Sequence, residues 1–334
     1  MKFRLLLFLC LACYGASGQL RIGFWLESNI VRIPFQIVNN SIFVKVDLNE
    51  HRELSFIVDT GSSFSVVFSD PTLTLPLQFK MFNIRGFGKM DSLSANVSVY
   101  NTLSLGPLTS YGQQILVVEK DKVGFQQFFD RPLHGIIGLD VLRNFNVEFN
   151  FVTQKMILRN NEVRQRKGRR WTKIPFQVYN NTLMVPAVIS DSQSKKDSVS
   201  LIIDTGSELP LLLAEEFCPP GAAKTIIGLG FLGYASGRIG EIKKVHIGDI
   251  TLENLTTAFP DSTSSKWNAV VPHQGNIGIQ LLKKYRLAIN YNEGLLYLKP
   301  IRRLFEEPLS YNRSGLAVDV HGEAVCPYYI SEIA

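Results

Sequence analysis

Two four-residue stretches have the composition to do chemistry: Asp59-Thr60-Gly61-Ser62 and Asp204-Thr205-Gly206-Ser207, each directly after an apolar run, Phe56-Ile57-Val58 and Leu201-Ile202-Ile203. Glycine permits a tight turn at the end of a buried strand, and the turn's backbone N–H groups and hydroxyls can fix the aspartate in one orientation. If the two turns face one another, carboxylates about 3 Å apart cannot both ionise, so one proton is shared. The charged partner is then a general base toward water, and the protonated partner a general acid toward a carbonyl. Such a pair suits acyl hydrolysis by activated water, with no metal, cofactor or covalent intermediate. One Asp-Thr-Gly is weak evidence, since a given tripeptide arises by chance about once in 8,000 positions. Two at matched places are stronger.

The match comes from an internal repeat. Ile33-Pro34-Phe35-Gln36 with Asn39-Asn40 returns as Ile174-Pro175-Phe176-Gln177 with Asn180-Asn181, an offset of 141. Gly135-Ile136-Ile137-Gly138-Leu139, followed by Val141-Leu142-Arg143-Asn144-Phe145, returns as Gly275-Asn276-Ile277-Gly278-Ile279 and Leu281-Leu282-Lys283-Lys284-Tyr285, an offset of 140. The aspartate stretches lie between these landmarks at an offset of 145. Three landmarks in one order at a nearly constant offset predict a unit of about 135 residues written twice.

Within each unit the apolar runs have strand length and are broken by Gly, Asn, Asp and Pro, with little helical periodicity. Residues 54–58 and 65–68 read as strands flanking the first aspartate turn. Residues 135–139 read as a buried strand, 140–145 as a short helix, and 147–151 with 155–158 as a hairpin around Thr153-Gln154. The second unit repeats that hairpin at 287–290 and 295–298, where Gly294 suits the positive φ of the turn. The predicted fold class is all-β.

Composition limits what surrounds these units. The 334 residues are 46% hydrophobic and 19% charged, enough apolar material for a sizeable core and too much for a disordered chain. Lys2 and Arg4 precede an apolar run at 5–13 and the small residues Ala16-Ser17-Gly18, the pattern of a secretory leader cut before Gln19. The run is well short of the ~20 residues that span a bilayer, and no later window comes close. The mature chain is therefore expected to be exported, periplasmic or secreted, with no transmembrane segment. Lipidation at Cys13 is disfavoured because Cys10 stands where a lipoprotein leader carries Leu. Cys218 and Cys326 alone survive cleavage, too few for a disulfide framework. Asn-x-Ser/Thr sequons start at Asn39, Asn96, Asn180, Asn254 and Asn312. The net charge of +6 falls to +4 without Lys2 and Arg4, too mild for a nucleic-acid partner. Residues 159–170 hold six basic residues and one acidic, so the excess sits in a connector that reads as solvated. The expected division is a leader at 1–18, lobe 1 at 19–159, a linker at 160–170, lobe 2 at 171–303 and a C-terminal segment at 304–334.

Paired Asp-Thr-Gly-Ser turns, each with a later apolar-apolar-Gly strand, Ile136-Ile137-Gly138 and Asn276-Ile277-Gly278, resemble the aspartic peptidases of the retropepsin-like and pepsin-like group. The resemblance covers about residues 22–300 and is nearer to bacterial retropepsin-like proteins than to pepsin. It implies two β-barrel lobes related by pseudo-twofold symmetry and a monomer acting on peptide or protein substrates. Asp59 and Asp204 would be the dyad. Ser62 and Ser207 would hydrogen-bond the outer carboxylate oxygens, Thr60 and Thr205 would lock the turns together, and Gly61 and Gly206 would shape them. The family's flap would correspond to Gly86-Phe87-Gly88 and to 228–240, with Gly228 and Gly230. Residues from Ser314 onward are similar to the opening strands of PDZ domains. Asn276, Gln280 in place of Asp140, and Glu208-Leu209-Pro210 depart from the pattern. The alternative function is a catalytically silent peptide-binding protein using the cleft between lobes, and a further alternative pairs each lobe with another chain.

Other signals are weaker. Gly228-Leu229-Gly230-Phe231-Leu232-Gly233 fits a dinucleotide-binding pattern, but residues 234–240 are no helix, so a flap suits it better. His51, His134, His246, His273 and His321 lack metal-site spacing. His134 and His273 are expected to hydrogen-bond at strand ends.

Overall fold

The computed structural model describes residues 23–309 except 27, 125–127, 164–166, 191–195, 265–271 and 308, together with the backbone of 316–320 and 328–333. The leader, Cys10, Cys13, Cys326 and Asn312 lie outside the described residues.

Alternation along the strands separates two apolar faces. On Ser41–Leu48, Ile42, Val44, Val46 and Leu48 enter the main core, while Phe43 turns to a second cluster. On His51–Val58, Phe56 and Val58 take the core side and Ile57 the other. Asp59 follows Ile57 by two residues and so leaves the sheet on the same side as that second cluster. These strands belong to a nine-stranded sheet in which the parallel pair His51–Val58 and Gly135–Ile137 lies near the centre. Residues 177–278 build an eight-stranded sheet, with Lys196–Asp204 parallel to Gly275–Gly278. The helices expected after the glycine strands are single turns, Leu139–Leu142 and Ile279–Leu282. The protein is thus mostly β with few short helices, as its strand-length apolar runs require.

A third sheet joins the two halves. Its order is Thr172–Pro175, Leu295–Pro300, Tyr285–Asn290, Phe145–Asn150, Lys155–Asn160 and Ile30–Pro34, three strands from each half. At its centre Glu148 pairs with Ala288, flanked by Val147 with Ile289 and Phe149 with Leu287. Each residue of that pairing thus faces the neighbourhood of its own 140-offset counterpart. The two hairpins expected at 147–158 and 287–298 are present, and they pair with one another across the two halves.

The connector keeps Glu162, Arg169 and Arg170 exposed, as a solvated linker should, but turns one residue inward. Its described residues include Lys167, whose ammonium lies 2.7 Å from Glu148, only 2% exposed, and 4.4 Å from the centre of the Trp171 ring. Arg159 at 3.2 Å and Arg286 complete the cluster. The basic stretch is anchored here because a buried carboxylate at the sheet centre needs counter-charge. After residue 300, the helix Arg302–Phe305 packs Phe305 edge-on to Tyr285, and the strands Leu316–Val320 and Tyr328–Ile333 pair with one another.

Candidate active site

Each aspartate turn grips the other. The Thr60 N–H donates to Thr205 Oγ1 at 3.0 Å, and the Thr60 hydroxyl donates to the Ile203 carbonyl at 2.7 Å. Reciprocally, the Thr205 N–H donates to Thr60 Oγ1 at 3.0 Å and its hydroxyl to the Val58 carbonyl at 2.9 Å. Both threonines are fully buried, so these four bonds exchange no partner with water.

The grip brings the carboxyls together. Asp59 Oδ1 accepts from Gly61 N at 2.7 Å and Ser62 N at 3.2 Å, and Asp204 Oδ1 accepts from Gly206 N at 2.9 Å and Ser207 N at 3.0 Å. The two carboxyls lie close enough for each to alter the other's hold on a proton. A Cβ on Gly61 would lie 2.6 Å from the Asp204 carboxyl carbon, and one on Gly206 would lie 2.4 Å from that of Asp59. Only glycine at these two positions leaves room for the opposite aspartate. Burial raises the Asp59 carboxyl above its ordinary range, although peptide N–H groups oppose it. Asp204 is pushed up further by burial and then by the charge of Asp59, with the Gly206 N–H and Asn276 opposing.

The serines act differently from expectation. Ser62 holds Asp59 through its peptide N–H, while its hydroxyl turns to the Phe64 carbonyl at 2.8 Å. Ser207 likewise reaches Asp204 through its N–H. Asp204 Oδ2 accepts instead from Asn276 Nδ2 at 2.6 Å, so the residue that departs from the apolar-apolar-Gly pattern touches the dyad. Asp140 accepts from the Ser65 hydroxyl at 2.8 Å, which in turn accepts from Gly138 N. His134 takes its expected strand-end role by accepting from Ser55 N through Nδ1. In the second half Gln274 accepts from Ser200 N at 2.8 Å through Oε1.

Residues 228–233 form the tip between Ala223–Gly230 and Gly233–Ile247, a hairpin with no helix after it. It meets the tip at 85–90. Leu232 N donates to the Phe87 carbonyl at 3.0 Å, and Met90 N to the Leu232 carbonyl at 3.2 Å. Leu232, 1% exposed, sits in the first half's second cluster with Phe43, Ile57, Phe68 and Ile136. Phe231 lies 6.2 Å from the Phe68 ring, measured between centroids. In exchange, Phe87 packs against Ile227, Ala235, Ile239 and Ala258 of the second half. Gly88 and Gly230 permit this contact, since a Cβ on Gly230 would lie 2.2 Å from the Phe87 carbonyl oxygen, whereas a Cβ on Gly86 would meet Phe231 only at an ordinary 3.6 Å. Sequence reasoning located both hairpins and missed their interlock, as it missed Asn276 and Leu232. Asn276 had one visible signal, a polar residue in a slot that Ile136 fills in the first unit.

A family model described as aspartyl protease matches residues 44–141, which hold Asp59 and Gly138. No curated protein sequence matches the chain. Among solved structures, the crystal structure of aspartic proteinase from Irpex lacteus is similar, with a TM-score of 0.52 at 15% identity, covering 81% of this chain and 97% of that one. At that identity the likeness speaks for the fold, while the sequence match speaks for the first half's motif. Motif and fold agree: residues 44–141 carry the aspartyl protease pattern, and the chain has a fold similar to that of an aspartic proteinase.

Proposed function

We propose that this chain is an exported endopeptidase with one active site, formed by Asp59 and Asp204 from its two halves. The observation that carries the reading is the mutual contact of the two carboxyls, each seated against the other turn's glycine. In this reading the pair holds one proton. The ionised carboxyl takes a proton from a water between them while the protonated one donates to the scissile carbonyl, giving a neutral tetrahedral intermediate. The protonated carboxyl then gives its proton to the departing nitrogen while the ionised one takes a proton from a hydroxyl of the intermediate, so that the C–N bond breaks, acid and amine form, and the pair again holds one proton. Thr60, Thr205, Gly61, Gly206 and the peptide N–H groups of Ser62 and Ser207 hold the geometry. The hairpins carrying Phe87 and Leu232 act as two flaps that part to admit an extended peptide. The lobes are a duplicated pair within a monomer, and Lys2, Arg4 and the apolar run behind them support export. The strands at 316–320 and 328–333 are proposed as the opening of a PDZ-like module.

The interlocked hairpins also favour a second reading, a silent protein that captures peptides without cutting them. Incubation with an unfolded protein substrate between pH 3 and 7, followed by product mapping, separates the two. Wild type is expected to cleave, and Asp59→Asn and Asp204→Asn to lose about 10²–10⁴-fold of the rate, the range general acid–base groups contribute. Equal cleavage by all three proteins would contradict the dyad.

A further inference from the structure

We infer that Asn276 is a positioning residue for the dyad, its side-chain amide holding Asp204 so that the pair surrenders its first proton at lower pH than two unaided carboxyls would. The inference rests on the dyad reading above. In the parallel pairing of Lys196–Asp204 with Gly275–Gly278, Asn276 stands beside Ile202 and Gly278 beside Asp204. From that place Asn276 Nδ2 reaches Asp204 Oδ2 at 2.6 Å, while Oδ1 of Asp204 is already taken by the turn's N–H groups. Asp59 has no such aid. The matching position in the first half is Ile136, and the hydrogen bonds donated to Asp59 Oδ1 come from the peptide N–H groups of Gly61 and Ser62.

The orientation of the amide decides the sign. With Nδ2 toward Asp204, one buried atom of Asn276, Oδ1, has no protein partner. Turned over, the amide would leave both N–H groups unpaired and would require a proton on Asp204. The observed orientation therefore favours the ionised carboxylate, since a donated hydrogen bond stabilises the charged form. The titratable group that acts on Asp204 is Asp59, on the opposite turn, and Glu208 follows four residues along its own turn. The strands on either side of Lys196–Asp204, Thr182–Ser190 and Gly275–Gly278, bring no charged side chain, and the hairpin tip at 85–91 carries Arg85, Lys89 and Asp91. These groups stay constant when only residue 276 is changed.

The test is a carbon-13 carboxyl NMR titration of the full chain labelled at aspartate, assigned with Asp59→Asn and Asp204→Asn. Wild type is compared with Asn276→Ile, the residue that the first half carries at this position, and with Asn276→Leu, which keeps the shape of the asparagine. Two variants guard against one failing to fold. The first titration step of the pair is expected to rise by about one pH unit in both, and the acid limb of kcat/KM to move with it. A folded variant whose pair titrates at the wild-type pH overturns the inference, even if its rate or Tm has changed. The outcome is separable from the catalytic reading. A step that moves in a chain that cleaves nothing leaves Asn276 assigned and removes the activity; active wild type with an unmoved step does the reverse.

Discussion

Burial of two acidic groups against one another has a cost that rises with pH. Asp59 and Asp204 are both raised above the ordinary aspartate value of 3.8 in the folded chain. The folded state therefore binds protons more tightly than the unfolded one, and stability is lost as pH climbs from 3.8 through the raised folded values. Asp204→Asn is accordingly expected to raise Tm by at least about 2 °C at pH 7. The gain should vanish as pH falls toward 3.8, and calorimetry of both proteins across that range checks it. These two residues were legible in the sequence because four consecutive positions contain most of their surroundings: the glycine, the threonine and the N–H donors. Asn276 was not legible in that way. It stands 72 positions from Asp204, and its effect follows from a parallel strand register that no local pattern encodes.

Strands and turns were readable for a similar reason, since alternation and turn residues are local. Residues 54–58 and 65–68 emerge as His51–Val58 and Val66–Ser69, and the Gly294 hairpin has its positive φ of 61°. The Asn39-Asn40 and Asn180-Asn181 pairs also take positive φ, as a tight hairpin turn requires, and each reaches the other half. Lys283 donates to Asn40 Oδ1 at 3.1 Å and Arg143 to Asn181 Oδ1 at 2.9 Å. What the elements do to one another is harder to read, because the partner hairpin of Phe87 lies more than 140 residues away. Gly230→Ala tests that contact, since its Cβ would strike the Phe87 carbonyl and part the tips. Hydrogen exchange at the Leu232 and Met90 amides is expected to accelerate about 10-fold or more, corresponding to ~1.4 kcal/mol of lost closure. The Asp59 amide, bonded to the Ile137 carbonyl at 3.0 Å, should exchange as in wild type. Unchanged protection at Leu232 would mean the hairpins meet by another geometry.

Across the whole molecule, the shared six-stranded sheet keeps the halves in one register, and Glu148 lies at its centre. Burial opposes its charge, yet Lys167, Arg286 and Arg159 outweigh that and hold its carboxyl below the usual glutamate range. Its stabilising effect is therefore present above 4.5 and lost as pH falls through the lowered folded value. Glu148→Gln leaves three cations without their counter-charge and is expected to cost about 3–5 kcal/mol at neutral pH, with the deficit shrinking in acid, as read by urea unfolding. Neither this cluster nor the sheet could be read from sequence, where Lys167 belongs to a charged connector and Glu148 to an ordinary hairpin. Both serve the central claim, that one folded chain supplies both carboxyls of one site. Peptide cleavage by an equimolar mixture of Asp59→Asn and Asp204→Asn, set beside wild type and each variant alone, tests this most directly. Wild type should cleave, while each variant and the mixture should remain near background, because every chain carries its own impaired pair. Activity in either variant equal to wild type, or activity regained on mixing, would contradict a site built within a single chain.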